Sequence, residues 1–104
     1  MKFGEALEFL REGYPVYREI WDDGVYVVKQ VNSDIDSEVV PKMQSLPDKA
    51  KELITSFENG SIHYREQCLI ITNKKREDSL GYFATNYVPD WIDIFAEDWK
   101  AYGI

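Results

Sequence analysis

The sequence predicts an α+β fold: an N-terminal helix, an antiparallel β-sheet with hairpins, one central amphipathic helix and a short C-terminal helical turn. Apolar residues recur at helical spacing near the start, in the middle and near the end of the chain, and strand-like runs bounded by turn residues lie between them. The length of 104 residues suits one modest hydrophobic core. We therefore expect a single domain over residues 1–104.

The first part of the chain predicts a helix followed by a β-hairpin. The helix over residues 3–12 is marked by one apolar stripe, which consists of Phe3, Ala6, Leu7 and Leu10. Gly13 suits the stop after its last turn. Loose alternation predicts a strand over Pro15–Trp21, residues 22–24 predict a tight turn, and Val25–Val31 is the returning strand.

The middle of the chain combines a polar segment with the central helix. Residues 32–40 are polar and acidic, which predicts a loop or a weak edge strand. Ser45 has the position of an N-cap, with Pro47 in the first turn and Asp48 as the capping-box carboxylate. The apolar stripe of this helix consists of Leu46, Ala50, Leu53, Ile54 and Phe57, and Asn59-Gly60 is expected to end it.

Two strands joined by a charged loop are predicted after the central helix. Ile62–Thr72 is strand-like throughout, and its apolar part is expected to cross the core. Residues 73–78 have the composition of a hairpin loop, and Leu80–Val88 is the aromatic-rich partner strand.

Asp90 and Asp93 lie at the start of the predicted C-terminal helical turn. Asp90 has the position of its N-cap, and the turn is expected to carry Ile94 and Phe95 inward before an extended tail over residues 98–102. Capping explains the spacing of the two carboxylates. An acid–base pair, or acceptance of hydrogen bonds from ligand hydroxyls, stays open beside it.

Charge and cysteine content restrict the classes of partner. With a net charge of −7, the chain lacks the dense positive charge that DNA or RNA binding requires, although a few local cations suffice for a small phosphorylated ligand. The apolar runs are too short to span a membrane, and the N-terminus lacks a signal-peptide pattern. Cys68 is the only cysteine, which excludes an intramolecular disulfide and a cysteine-based zinc site. We expect a cytoplasmic protein with neither membrane nor nucleic-acid partners.

Side chains that catalysis requires are scarce. His63 is the only histidine, so any histidine-dependent nucleophilic triad must be built around it; a surface or hydrogen-bonding role is expected. Cys68 lies in an apolar run and is expected to be an inert core thiol. Asp34, Asp36 and Glu38 alternate along the chain but lack the glycine and terminal glutamate of a calcium-binding loop. We therefore predict no catalytic residues, no metal site, no cofactor and no enzymatic activity.

Aromatic residues make up 14% of the chain, with 3 Trp, 7 Tyr and 5 Phe. The surplus over what so short a chain can bury suits a stacking pocket or a subunit interface. Trp21 precedes a turn, and Tyr64 and Tyr87 lie near strand ends, where rings can stack on nucleobases. Arg18 and Arg65 are the candidate phosphate ligands. Cross-strand packing, or burial in a homo-oligomer, explains the aromatic content at least as well.

Several short motifs occur in order along nearly the whole chain. They are Phe3-Gly4-Glu5-Ala6-Leu7, Arg18-Glu19-Ile20-Trp21, Met43-Gln44-Ser45-Leu46-Pro47, Tyr64-Arg65-Glu66-Gln67 and the segment from Tyr87 to Trp99, which ends in Ala96-Glu97-Asp98-Trp99. With these motifs the chain resembles the second Thoeris anti-defence family of small phage-encoded proteins. It departs from the family pattern at Ile20, Asp22, Tyr87 and Asp90, where glycine, asparagine, tryptophan and serine are usual.

The resemblance implies a sponge rather than an enzyme. Such proteins bind cyclic nucleotide messengers of bacterial immunity, notably cyclic ADP-ribose isomers such as glycocyclic ADP-ribose, and some members bind cyclic dinucleotides. They hold the messenger away from its effector without cleaving it. They resemble α+β protomers assembled as homotetramers with pockets at subunit interfaces. The alternatives are an enzyme that cleaves the same messenger and a structural phage interaction module.

A set of ligand-binding residues follows from this resemblance together with the residue chemistry. Trp21 and Tyr87 are expected to stack on base or ribose, and Arg18 and Arg65 to contact pyrophosphate. Ser45 is expected to present its hydroxyl at a helix N-terminus. The remaining members are Tyr64 as a ring, and Gln67, Asp90 and Asp93 as polar groups near hydroxyls and base edges. Trp99 is expected to be structural.

Overall fold

The computed structural model describes residues 1–72 and 83–104 and has the predicted α+β architecture. The helices are α1 (Phe3–Arg11), α2 (Asp48–Thr55) and α3 (Trp91–Phe95), with a short 3-10 turn at Val40–Lys42. The strands are β1 (Val16–Arg18), β2 (Val25–Lys29), β3 (Ser33–Ile35), β4 (Ile62–Tyr64), β5 (Cys68–Thr72), β6 (Phe83–Asn86) and β7 (Trp99–Ala101). The chain divides into two compact units, the first comprising Met1–Gln30 with Gln67–Ile104 and the second Val31–Glu66.

The first unit contains a five-stranded antiparallel sheet in the order β6-β5-β2-β1-β7. β1 and β2 are joined by the predicted tight turn, in which Gly24 has a φ of 86°, a region that favours glycine. β7 pairs with β1, so that Arg18 is directly opposite Trp99. This long-range pairing places the C-terminal motif beside the end of the first strand.

The core of the first unit lies between α1 and one face of this sheet. Its buried residues are Ala6, Leu10, Val16, Val27, Trp99 and Ala101. Alternation along β1 and β7 accounts for the burial, since Val16 and Arg18 face the core together with Trp99 and Ala101. Trp99 is only 1% exposed and packs against the ring of Phe3 at a centroid distance of 5.5 Å. The prediction that Trp99 is structural is confirmed.

The second unit is an insertion between the neighbouring strands β2 and β5. Its two-stranded sheet pairs β3 with β4, which confirms a weak edge strand within residues 32–40. Within residues 31–66, all of which the structure describes, Val40 is the only buried hydrophobic residue. No residue of α2 is buried, and Leu53 and Phe57 of the predicted apolar stripe are 60% and 58% exposed.

The prediction of one continuous strand over Ile62–Thr72 is wrong. The segment forms two strands, of which β4 belongs to the two-stranded sheet and β5 to the five-stranded sheet. The extended conformation is interrupted between them at Glu66, whose φ is 52°. The N–H of Glu66 donates to Oδ1 of Asn32 at 3.1 Å. Left-handed backbone at this residue is incompatible with continuous pairing.

The start of the central helix also differs from the prediction. Ser45 is not the N-cap, because α2 begins at Asp48 and its N-cap residue is Pro47, with no side chain capping it. Proline disfavours helical backbone in the residue before it, which delays the helix until after Leu46. Asp48 is therefore the first helical residue rather than a capping-box partner.

The C-terminal helical turn is confirmed, with one exception in its burial. Ile94 is half-buried, but Phe95 is 75% exposed, because a helix of five residues directs few side chains to one side. β6 confirms part of the predicted strand Leu80–Val88, and β7 replaces the predicted extended tail. The predicted hairpin loop at residues 73–78 and the first residues of that strand lie outside the described residues.

No helix in the described parts of the chain combines the length and apolar character that crossing a bilayer requires.

Candidate ligand-binding cleft

Asp93 is the centre of a hydrogen-bond network at the start of α3. Its Oδ1 accepts from Nη1 of Arg18 at 3.2 Å, and its Oδ2 accepts from the hydroxyl of Tyr87 at 2.9 Å. Its backbone N–H donates to Oδ1 of Asp90 at 2.9 Å, and its carbonyl accepts from Nε1 of Trp99 at 2.9 Å. Asp90 is thereby confirmed as the N-cap of α3.

Arg18 is buried beneath this network, with 8% of its surface exposed. Besides Asp93, it donates from Nε to Oδ1 of Asp98 at 2.9 Å, and Oδ2 of Asp98 accepts from the N–H of Ile20 at 3.3 Å. The hydrogen bond to Asp98 is the main cause that raises the pKa of Arg18, and the same bond lowers the pKa of Asp98. A buried cation needs such partners, so a ligand phosphate would compete with two carboxylates for Arg18.

Tyr87 stays a hydrogen-bond donor at neutral pH. Burial, followed by the hydrogen bond to the carboxylate of Asp93, raises the pKa of its hydroxyl above the ordinary value of tyrosine. The backbone of Tyr87 is held as well, since its N–H donates to the carbonyl of Cys68 at 2.9 Å. The ring and hydroxyl of Tyr87 are therefore positioned from two directions.

Trp21 and Tyr87 form the aromatic wall of the site. Their ring centroids are 6.4 Å apart at an interplanar angle of 75°, an edge-to-face arrangement. Trp21 also packs edge-to-face on the buried Trp99, at a centroid distance of 5.3 Å and 79°. Since Trp21 is only half-buried, part of its ring is left available to a ligand.

These side chains border a cleft of about 490 Å³. The described residues that line it are Ile20, Trp21, Asp22, Val25, Ile70, Tyr87, Asp90 and Asp93. The volume falls within the range of small-molecule sites, and the lining combines aromatic and aliphatic surface with carboxylates. None of these lining residues is a lysine or arginine. The cleft is thus suited to a flat ring and to hydroxyl donors rather than to a phosphate.

The chain was also compared with known proteins. The family model for the Tad2-like, or Thoeris anti-defense 2-like, domain matches residues 1–102. The chain belongs to this family. Membership confirms the resemblance drawn from the short motifs and supports a role in anti-defence against Thoeris. Among curated proteins no significant match was found.

The Tad2-like chain brings together more than half of the predicted ligand-binding residues. Trp21, Tyr87, Asp90 and Asp93 line the cleft, and Arg18 lies behind Asp93. Gln67 belongs to the same unit, where its carbonyl accepts from the N–H of Gln30 at 2.8 Å, but it is not among the lining residues. The binding roles of these residues stay predictions.

The other predicted residues, Ser45, Tyr64 and Arg65, belong to the second unit. Ser45 is exposed in the segment before α2, and Tyr64 is half-buried in β4. Arg65 donates to the carboxylate of Asp34 and to the carbonyls of Ser33 and Tyr64. Its guanidinium is therefore already bonded to protein acceptors, as that of Arg18 is.

Sequence reasoning missed several residues in and beside the cleft. Asp98 was considered only as a member of the Ala96-Glu97-Asp98-Trp99 motif, and its role as an acceptor for the buried Arg18 was not predicted. The aliphatic part of the lining includes Val25 of β2 and Ile70 of β5, two strands that are distant in sequence and become neighbours only in the sheet. Among residues 1–72 and 83–104, no group of three or more metal-ligating side chains is brought together.

Proposed function

We propose that this protein is a phage-encoded sponge that binds a cyclic nucleotide immune messenger and holds it intact. The messenger is a cyclic ADP-ribose isomer such as glycocyclic ADP-ribose, or a cyclic dinucleotide. Binding keeps it from its effector in the cytoplasm of the infected or prophage-bearing host. The cleft bordered by Trp21 and Tyr87 carries the proposal, because it pairs aromatic rings with fixed carboxylates.

Each part of the cleft has a matching chemistry on a nucleotide. A nucleobase stacked on an aromatic side chain gains about 1–3 kcal/mol. The carboxylates of Asp90 and Asp93 are acceptors, and ribose hydroxyls are donors. The negative lining makes the nucleoside part, rather than the phosphates, the natural occupant of this cleft.

The proposed assembly is a homotetramer with pockets completed at subunit interfaces. Exposed apolar side chains on α3 support an interface, since Trp91 is 71% and Phe95 75% exposed and their rings stack at 5.7 Å. Light scattering on the purified protein measures the assembly directly. A monomer at all concentrations would contradict this part of the proposal.

Ligand binding is tested by thermal shift with cyclic ADP-ribose isomers and cyclic dinucleotides, each added separately. A ligand at 100 times its dissociation constant stabilises the folded state by about 2.7 kcal/mol. Trp21→Phe and Tyr87→Phe should each raise the dissociation constant of the best ligand at least tenfold, which reduces the thermal shift at a given ligand concentration. Tyr14→Phe is the matched control, since Tyr14 is outside the cleft and packs on Phe9, and it should retain the affinity of the wild type.

Recovery of the ligand separates a sponge from an enzyme. After incubation and heat denaturation, the nucleotide should be recovered intact by mass spectrometry. A cleaved product would replace the proposal with an enzyme that degrades the messenger. The absence of any thermal shift across the panel would favour a structural phage interaction module.

A further inference from the structure

A second cluster of polar side chains lies on one face of the β3–β4 sheet. Asp34 and His63 are directly opposite each other in the antiparallel pair. Ser61 precedes His63 by two positions, and alternate residues of a strand share a face. The register therefore places the chain's only histidine between a serine and an aspartate.

The three side chains are joined by two hydrogen bonds. Oγ of Ser61 is 3.0 Å from Nε2 of His63, and Nδ1 of His63 is 2.6 Å from Oδ1 of Asp34. With the carboxylate accepting from Nδ1–H, a neutral imidazole presents the lone pair of Nε2 to the serine hydroxyl. This is the relation of nucleophile, base and orienting acid in a serine-based triad.

Asp34 is held in its charged form. Its hydrogen bonds to His63 and then to Arg65 lower the pKa of this carboxyl. A charged Asp34 fixes the tautomer of His63 and stabilises the imidazolium that proton transfer from Ser61 would produce. Arg65 adds a second restraint, because it also donates to the carbonyls of Ser33 and Tyr64.

The backbone before Ser61 is positioned by α2. Asn59 has a φ of 57°, and Gly60 packs so closely on the carbonyl of Ile54 that a Cβ would lie 1.9 Å from that oxygen. The turn between α2 and β4 is therefore tied to the helix end. Ser61, directly before β4, is therefore held close to the end of α2.

We propose that Ser61, His63 and Asp34 form an activated-serine site that accepts acyl groups from small activated esters. Oγ of Ser61 attacks the ester carbonyl, and its proton passes to Nε2 of His63. The carbonyl–oxygen bond to the leaving alcohol breaks, and the alcohol departs with that proton. Water then attacks the acyl carbon while His63 takes its proton, the bond between that carbon and Oγ of Ser61 breaks, and Oγ regains a proton from His63 as the carboxylic acid is released.

This activity lies outside the proposed messenger binding. It uses residues of the second unit alone and acts on acyl esters, which a cyclic ADP-ribose does not contain. The side chains of His63 and Asp34 are 55% and 57% exposed, so a small ester reaches them without a conformational change. The same exposure weakens charge stabilisation by the protein and predicts slow turnover.

A fluorophosphonate probe and p-nitrophenyl acetate test the site in the full chain. With the fluorophosphonate, the Ser61 oxygen–phosphorus bond forms, fluoride leaves, and the proton passes to His63. Peptide mapping should locate the label on Ser61 in the wild type and in the control Ser56→Ala. Labelling should be absent in Ser61→Ala and at least tenfold slower in His63→Gln and Asp34→Asn. Hydrolysis of p-nitrophenyl acetate should likewise be lost in Ser61→Ala and at least tenfold slower in His63→Gln and Asp34→Asn.

Two results would overturn the proposal. One is that the wild type labels Ser61 no faster than it labels its other exposed serines. The other is that His63→Gln leaves the rate on Ser61 unchanged while its melting temperature equals that of the wild type. Since messenger binding is measured separately by thermal shift, either failure leaves the sponge proposal standing.

Discussion

A single buried arginine links distant parts of the first unit. Arg18 ends β1, yet its partners Asp93 and Asp98 lie in α3 and just before β7. Their side chains are only 10%, 15% and 22% exposed, so the three charges depend on one another for compensation. The same ion group supports Asp93, which lines the cleft, and so couples the stability of the unit to the shape of its candidate site.

Removal of the positive charge of Arg18 is expected to destabilise the folded state strongly. Arg18→Met should lower the free energy of unfolding by about 3–5 kcal/mol, because it leaves two partly buried carboxylates without their partner. Arg11→Met is the matched control and should change it by less than about 0.5 kcal/mol, since an exposed pair contributes little. Urea unfolding measures both. Equal effects would mean that the Arg18 network adds no stability.

The carboxylate of Asp98 should make stability depend on acidity. Arg18 lowers its pKa in the folded state, so its contribution is present above the unfolded value of about 4 and is lost as pH falls through the lower folded pKa. Unfolding free energies between about pH 5 and pH 2 should therefore decline less in Asp98→Asn than in the wild type. Parallel profiles for the two proteins would contradict this linkage.

At the scale of elements, turns decide where strands and helices end. Gly13 follows α1 with a φ of 96°, as its place in the sequence predicts. The break at Glu66 had no such signal, because glutamate carries no preference for left-handed backbone and its stabilising contact comes from Asn32, far away in sequence. Local composition thus predicted the elements more reliably than it predicted where Ile62–Thr72 divides.

Gly60 provides a test of the contact between α2 and the start of β4. Gly60→Ala should destabilise the protein by about 1–3 kcal/mol, because its Cβ would overlap the carbonyl oxygen of Ile54. Gly4→Ala in α1 is the opposite case, since nothing lies within 4 Å of an added Cβ. It should raise stability by about 0.5–1 kcal/mol through helix propensity. Thermal unfolding of both variants compares them, and equal destabilisation would refute the contact.

Across the whole molecule, buried apolar residues are unevenly distributed. The first unit holds the cluster around Trp99 and Val27, whereas the second unit, described in full, buries Val40 as its one hydrophobic residue. Its helix α2 has an apolar stripe in sequence but buries none of it. Opening of the second unit is therefore expected to require less free energy than opening of the five-stranded sheet.

Hydrogen exchange measures this difference. Amides in the paired strands β2 and β5, including those of Val27 and Ile70, should exchange at least tenfold more slowly than hydrogen-bonded amides of α2 such as that of Lys51. The peptide from α1 that contains Ala6 and Leu10 is the internal reference for the protected core. Uniform protection across both units would contradict the expectation.

Local patterning was sufficient to predict the α+β class, both long helices, the first hairpin and the cap at Asp90, since each depends on residues a few positions apart. Motif and chemistry also selected Trp21, Tyr87, Asp90 and Asp93, which line one cleft, while their binding roles stay predictions. Such reasoning did not predict the ion pair of Arg18 with Asp98 or the place of Ile70 in the cleft lining. It also did not predict the hydrogen bonds that join His63 to Asp34 and Ser61. They arise from strand pairings between distant segments, and pairing depends on how a complete chain buries its apolar surface, which no short window of sequence contains.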